Sequence, residues 1–280
     1  MPYTPVADNA SCLALPPSRH ADGGIGRLDG WIAELATRHP ASMRRFVQAF
    51  TAQAIPAGLP ADVAAALANA PARYNIAVRK PAVVILDRGD GLSVEDFDWG
   101  LVPSWSTRPE TKYTTMTARL ERAARSRMFR RPWEQRRCVV PMNGYYKWDR
   151  TADPPRPYFI QSQSGDALFA AGLWEHWHKA EPELYSFAVL THANPAIPAP
   201  LVPDGPVFVP AARATEWIEG PWFPMRFLSQ AAQPRLEAYP VSRRIRNRDA
   251  DDYTLLEPVD VQADDGALTG FEDDVDDEDQ

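Results

Sequence analysis

The chain has 280 residues, 45% of them hydrophobic and 24% charged, enough apolar material to bury one sizeable core or two modest ones. No stretch approaches the roughly 20 uncharged apolar residues that cross a bilayer, and the opening MPYTPVADNA lacks the basic start and apolar run of a secretory signal. Two cysteines, Cys12 and Cys138, build neither a disulfide framework nor a zinc site unaided, so the expectation is a soluble cytoplasmic protein with no membrane partner.

The net charge of −7 hides a split along the chain. Residues 260–280 hold ten acids and no base, which leaves a body of about +3 in residues 1–259. Of the 30 bases, 26 are Arg. That excess fits phosphate recognition, because the guanidinium fork meets two phosphate oxygens at once, and it fits equally a composition biased towards Arg and Ala together.

In chain order, residues 1–28 read as an extended arm of Pro, Gly and Ser. A short helix is predicted over 29–39, capped by Asp29, with Trp31, Ile32 and Leu35 on one face. A second helix is predicted over 43–54, and a third over 60–70, where Pro60 and Asp62 mark the start. The pattern then turns to strands at 81–87, 137–141, 145–148, 157–160, 167–172, 185–191 and 206–210, each short, rich in β-branched or aromatic residues and bounded by Gly, Pro or Asn. Between the first two strands, 117–129 carries Leu120, Ala123, Ala124 and Met128 at helical spacing, and a further helix is predicted near 210–219. Many short strands with a few helices predict an α+β fold with a barrel-like mixed sheet as its core. Residues 1–42 are an N-terminal extension, 43–259 the folded domain, and 260–280 an acidic tail of the composition that stays disordered.

Eight arginines between 119 and 137, and four more at Arg243, Arg244, Arg246 and Arg248, give two basic clusters. Basic helices beside exposed aromatics suit single-stranded nucleic acid, and they suit an ordinary solvated helix face as well. Trp105 stands in VPSW, a turn in which a large ring is hard to bury. His176 and His178 have no carboxylate or thiol at metal-ligand spacing, so no metal site is expected. With no glycine-rich phosphate loop and no nucleophile elbow, no cofactor is expected either.

Nine blocks in order carry a resemblance: RRFVQ (44–48), RYNIA (73–77), WGLVPSW (99–105), TARLERAARSRMF (117–129), RRCVVPMNGYYKW (136–148), RPYFI (156–160), AAGLWEHW (170–177), FAVLTHAN (187–194) and YPVSRRIRN (239–247). The set resembles the SRAP family, the SOS response-associated peptidases that process abasic sites. The resemblance implies a groove for single-stranded or junction DNA. It also implies a reaction in which an N-terminal cysteine closes a thiazolidine on the abasic aldehyde, helped by an Asn, a Glu and a His.

At those four positions this sequence departs from the family. Met43 stands where the cysteine would be, and its nitrogen is an internal amide behind 42 residues. Thr117 replaces the Asn in TAR, Lys147 the Glu in GYYKW, and Val202 the His in the stretch before PVFVP. The positions that in the family line or support the DNA groove persist as Arg45, Asn75, Trp105, Arg119, Arg127 and Trp148; for Asn75, Arg127 and Trp148 a role in holding turns and packing the barrel is an equal expectation. The leading expectation is therefore a DNA-binding protein of a DNA-damage response that has lost crosslinking. One alternative is an abasic-site lyase in which Lys147 forms a Schiff base. Another is an interaction module in which residues 1–42 or the acidic tail engages a protein partner or covers the basic surface.

Overall fold

The computed structural model describes residues 43–109, 115–179 and 181–260. The helix predicted at 29–39 and the acidic tail beyond residue 260 lie outside the described residues. In chain order the strands are β1 (Arg45–Gln48), β2 (Arg73–Ile76), β3 (Pro81–Asp87), β4 (Leu92–Trp99), β5 (Thr117–Arg119), β6 (Arg137–Met142), β7 (Gly144–Asp149), β8 (Arg156–Ser162), β9 (Leu168–Trp177), β10 (Leu184–Ala193), β11 (Asp204–Pro206) and β12 (Leu236–Pro240). The helices are α1 (Ala61–Ala68), α2 (Leu120–Ala123), α3 (Arg130–Gln135), α4 (Ala214–Glu219) and α5 (Pro224–Gln230).

Five strands close on themselves: β10 pairs β4, β4 pairs β3, β3 pairs β6, β6 pairs β9, and β9 returns to β10. The β4–β10 pairing is parallel and the others antiparallel, so the barrel is mixed. A second sheet, in the order β12-β8-β7-β1-β2, is antiparallel throughout. This is the predicted α+β architecture, a barrel-like mixed sheet with helices at its periphery.

Strand β3 shows why its sequence is a continuous apolar run. Ala82, Val84 and Leu86 enter a cluster with Phe46, Trp99 and Tyr145, while Val83 and Ile85 enter another with Val63 and Leu67 of α1 and Trp217 of α4. A strand buried on both faces has no polar side to alternate with. Gln48 ties the two sheets together: its amide donates to the carbonyls of Val83 and Pro141 at 2.8 Å each, and its oxygen accepts from the Val83 N–H at 2.8 Å.

Two predicted helices are corrected. Residues 43–54 form β1 and a 3-10 turn at Ala52–Ala54. Phe46 and Val47 are both buried, but in different clusters on opposite faces of the sheet, which is the two-residue period of a strand pinned by β2 and β7 on either side. Within 117–129, Thr117–Arg119 are drawn into parallel pairing with Val189–Thr191, and helix begins only at Leu120 and ends by Ala123. The strand predicted at 206–210 is instead β11 at Asp204–Pro206; beyond it, Val207 and Val209 still donate to the carbonyls of Leu190 and Phe169.

Strand β10 gathers distant parts of the chain. Thr191 faces Arg119 of β5 along one edge and Pro206 of β11 along the other. The distant β5 and the neighbouring β11 therefore meet at the C-terminal end of one strand.

Candidate active site and nucleic-acid interface

Strand β7 alternates. Tyr145 enters the cluster shared with Phe46 and Trp99, and Tyr146 and Trp148 pack on the opposite face with Val47, Phe159 and Ile245. Lys147, two residues after Tyr145, shares its face, so the chain turns an ammonium group inward. Lys147 is 3% exposed, and its Nζ donates to the Asp204 carbonyl at 2.6 Å. The Asp204 carboxylate pairs in turn with the Arg119 guanidinium.

On the outer side of this pair, Glu121 Oε1 meets His192 Nδ1 at 2.5 Å, and His192 lies opposite Gly205 in the β10–β11 ladder. The Tyr145 hydroxyl is fully buried and has no hydrogen-bond partner among the described residues. It lies against β11 so closely that a Cβ on Gly205 would stand 3.0 Å from it.

The electrostatics follow from burial. Desolvation lowers the Lys147 ammonium to about 8; the Arg119 and Arg150 charges push the same way, and Asp204 opposes them. Burial raises the Asp204 carboxyl above the ordinary carboxylate range against the pull of Arg119 and Lys147. For Glu121, burial would raise the carboxyl, but a backbone hydrogen bond, His192 and Arg119 together carry it below its usual value.

Of the residues singled out from the sequence, Arg119, Lys147 and Val202 gather around Asp204; the Val202 carbonyl accepts from the Asp204 N–H at 2.8 Å, while Thr117 stands at the start of β5 opposite Val189. Met43 is fully buried in the same apolar cluster as Tyr145. Arg45 and Asn75 lie elsewhere, on the face of the second sheet occupied by Tyr146. The Arg45 guanidinium donates to Asn75 Oδ1 at 2.9 Å, and the Asn75 amide donates to the carbonyls of Asn247 and Ala250 at 2.9 and 2.8 Å. Trp148 is half-buried on that same face.

Trp105 and Arg127 form a third group. The Trp105 ring is 44% exposed, with the Arg127 guanidinium stacked 4.6 Å from its centroid. The turn that carries the ring is anchored from below. Ser104 Oγ donates to Glu175 Oε2 at 3.2 Å, and the buried Glu175 pairs with Arg136. The Trp105 carbonyl also accepts from Lys179 Nζ at 3.1 Å.

Sequence reasoning missed Asp204, Tyr145, Glu121 and His192. Asp204 carried one usable signal, an acid beside Gly inside an otherwise apolar run two residues past Val202. The pairing of Glu121 with His192, 71 positions apart, leaves no trace in local sequence. Among the described residues no group of three or more His, Cys, Asp and Glu is arranged to hold a metal, and no helix is long and apolar enough to cross a membrane.

Known proteins share this arrangement of strands and blocks. The family model "SOS response associated peptidase (SRAP)" matches residues 43–248. An abasic site processing protein of Saccharomyces cerevisiae is 36% identical over 126 residues, which is 44% of this chain but 33% of the yeast protein. The abasic site processing proteins YoqW of Bacillus subtilis and YedK of Escherichia coli are 27% and 26% identical over 66% and 67% of this chain, each covered to 85%. Among solved structures, a protein from Bacteroides thetaiotaomicron shares the fold with a TM-score of 0.60 at 19% identity, over 72% of this chain and 92% of that one. A Bordetella bronchiseptica protein does so with a TM-score of 0.54 at 21% identity, over 71% and 99%. With the match running from the start of β1 through the Arg-rich turn after β12, the chain belongs to the SRAP family.

Proposed function

We propose that this chain binds single-stranded or junction DNA at abasic sites, in a cytoplasmic, SOS-associated response to DNA damage, without closing the thiazolidine that the family resemblance implies. The working unit is residues 43–259. The observation that carries the binding half is the Trp105–Arg127 stack: a large ring left 44% exposed, backed by a cation and held on a turn anchored to a buried ion pair. An aromatic face beside guanidinium groups offers a base something to stack on and its phosphate a counter-charge. The names of the relatives, abasic site processing proteins, supply the lesion. For the chemical half, a thioether at Met43, buried and preceded by an amide, has neither the free amine nor the thiol that ring closure needs.

The test is fluorescence anisotropy with a single-stranded oligonucleotide carrying one abasic site, across a salt series. Trp105→Ala is expected to weaken binding by about 5- to 100-fold, the value of one lost base stack. Arg119→Ala is expected to weaken it across sequences and to lower the salt slope by about 1. A denaturing gel of the same mixtures without reductant is expected to show no covalent species. A stable protein–DNA band there, or no affinity at low salt, overturns the proposal.

A further inference from the structure

We propose that Lys147 is a carbonyl-capturing amine, and that its partner is the ring-opened aldehyde of an abasic deoxyribose, held as an imine between β7 and β11. This rests on the abasic-DNA reading above and adds a covalent but reversible step to it, the entry to lyase chemistry.

Lys147 Nζ is fixed by the Asp204 carbonyl at 2.6 Å on the inward face of β7, and the Asp204 carboxylate is held by Arg119. The buried Tyr145 hydroxyl, two residues before Lys147 on the same face, lacks a hydrogen-bond partner among the described residues and lies against Gly205, next to Asp204. A buried hydroxyl left unsatisfied is costly, and a sugar oxygen is the kind of group that would satisfy it. The side chains of Arg119 and of the Glu121–His192 pair are between 38% and 51% exposed, so the outer edge of the cluster faces solvent with a cation where a sugar phosphate would lie.

The chemistry balances on residues present. The uncharged Lys147 amine adds to the C1 carbonyl carbon; the N–C bond forms as the carbonyl pair moves to oxygen. That oxygen then leaves as water with the two protons the amine gives up, and a C=N bond remains. Asp204 is the carboxyl beside the amine and carries the proton between nitrogen and departing oxygen. Its burial, which raises its affinity for a proton, suits it to that transfer. Desolvation, with Arg119 and Arg150 as facing cations and Asp204 opposing them, brings the amine to about 8, so a sizeable fraction is uncharged near neutrality. A solvated lysine amine is mostly uncharged only above about 10.4.

The experiment is borohydride trapping with the full chain and two probes, the abasic oligonucleotide and free 2-deoxyribose 5-phosphate, followed by proteolysis and mass mapping. A reduced adduct is expected on Lys147 with both probes. It is expected to be absent in Lys147→Gln and in Lys147→Arg, the latter keeping the positive charge and the donor to Asp204. Its rate is expected to rise about tenfold per pH unit and then level off near pH 8, as titration of this amine dictates. An adduct mapping to another amine, an adduct that persists in Lys147→Arg, or no adduct with either probe overturns the inference. Anisotropy with a tetrahydrofuran abasic analogue, which has no aldehyde, separates the two readings. Binding without trapping sinks this inference alone. Trapping of the sugar phosphate without DNA affinity sinks the DNA-binding reading alone.

Discussion

Asn75 on β2 and Lys147 on β7 are both buried polar residues, and burial has opposite consequences for them. Asn75 is satisfied on every side: it accepts from Arg45 and donates to the carbonyls of Asn247 and Ala250, while its own N–H donates to Asp251 at 2.9 Å. Such a side chain closes the 245–251 turn onto β2. Asn75→Ala removes the acceptor of one Arg45 hydrogen bond and the donor to two carbonyls, and is expected to lower stability by about 3 kcal/mol, read as a reduced urea midpoint. Lys147 instead carries a charge into the interior. Its folded value near 8 lies below that of a solvated lysine, so between those two pH values the unfolded chain holds more protons than the folded one. Stability then rises with pH through that window, and below pH 8 the full cost of the buried ammonium applies. Between pH 7.5 and 9.5 this residue is expected to add about 2 kcal/mol. Urea unfolding of the wild type and Lys147→Met at both pH values isolates that difference, which should be absent in the variant.

At the level of elements, pairing outweighed local preference. The run MRRFVQAF suits a helix as well as a strand, and β1 is a strand because β2 and β7 occupy both its edges while Phe46 and Val47 fill opposite clusters. Strands already apolar on both faces, such as β3 and β6, were legible because no amphipathic helix has that pattern. The β7–β8 hairpin that presents Lys147 depends on Gly144. A Cβ there would run into the Ile160 carbonyl and the Phe159 ring, in a strand with no slack for either to move. Gly144→Ala is expected to cost several kcal/mol, about the upper range for overpacking, and to show as a lowered Tm by circular dichroism.

For the whole molecule, charge is distributed against the proposed ligand. A body of about +3 is joined to a stretch of ten acids, opposite in sign to the arginines that DNA phosphates would meet. Deleting residues 260–280 is expected to raise DNA affinity most at low salt, with the gain fading as the Debye length falls below about 10 Å. An unchanged affinity at about 50 mM salt would make the tail a solubility element instead.

The sequence by itself determined the family, through nine ordered blocks, and with it the barrel, because apolar period and turn residues are local properties that survive substitution. It also singled out Met43, Thr117, Lys147 and Val202 as the proposed departures from the family's reactive positions. Tertiary structure alone decided what surrounds Lys147. Asp204 lies 57 positions away and reaches it only because β11 docks beside the end of β10, and Arg119 arrives by way of β5 along the opposite edge of the same strand. The proton affinity of a side chain depends on the charges and solvent within a few ångströms of it, and those neighbours are set by strand order rather than by adjacency along the chain.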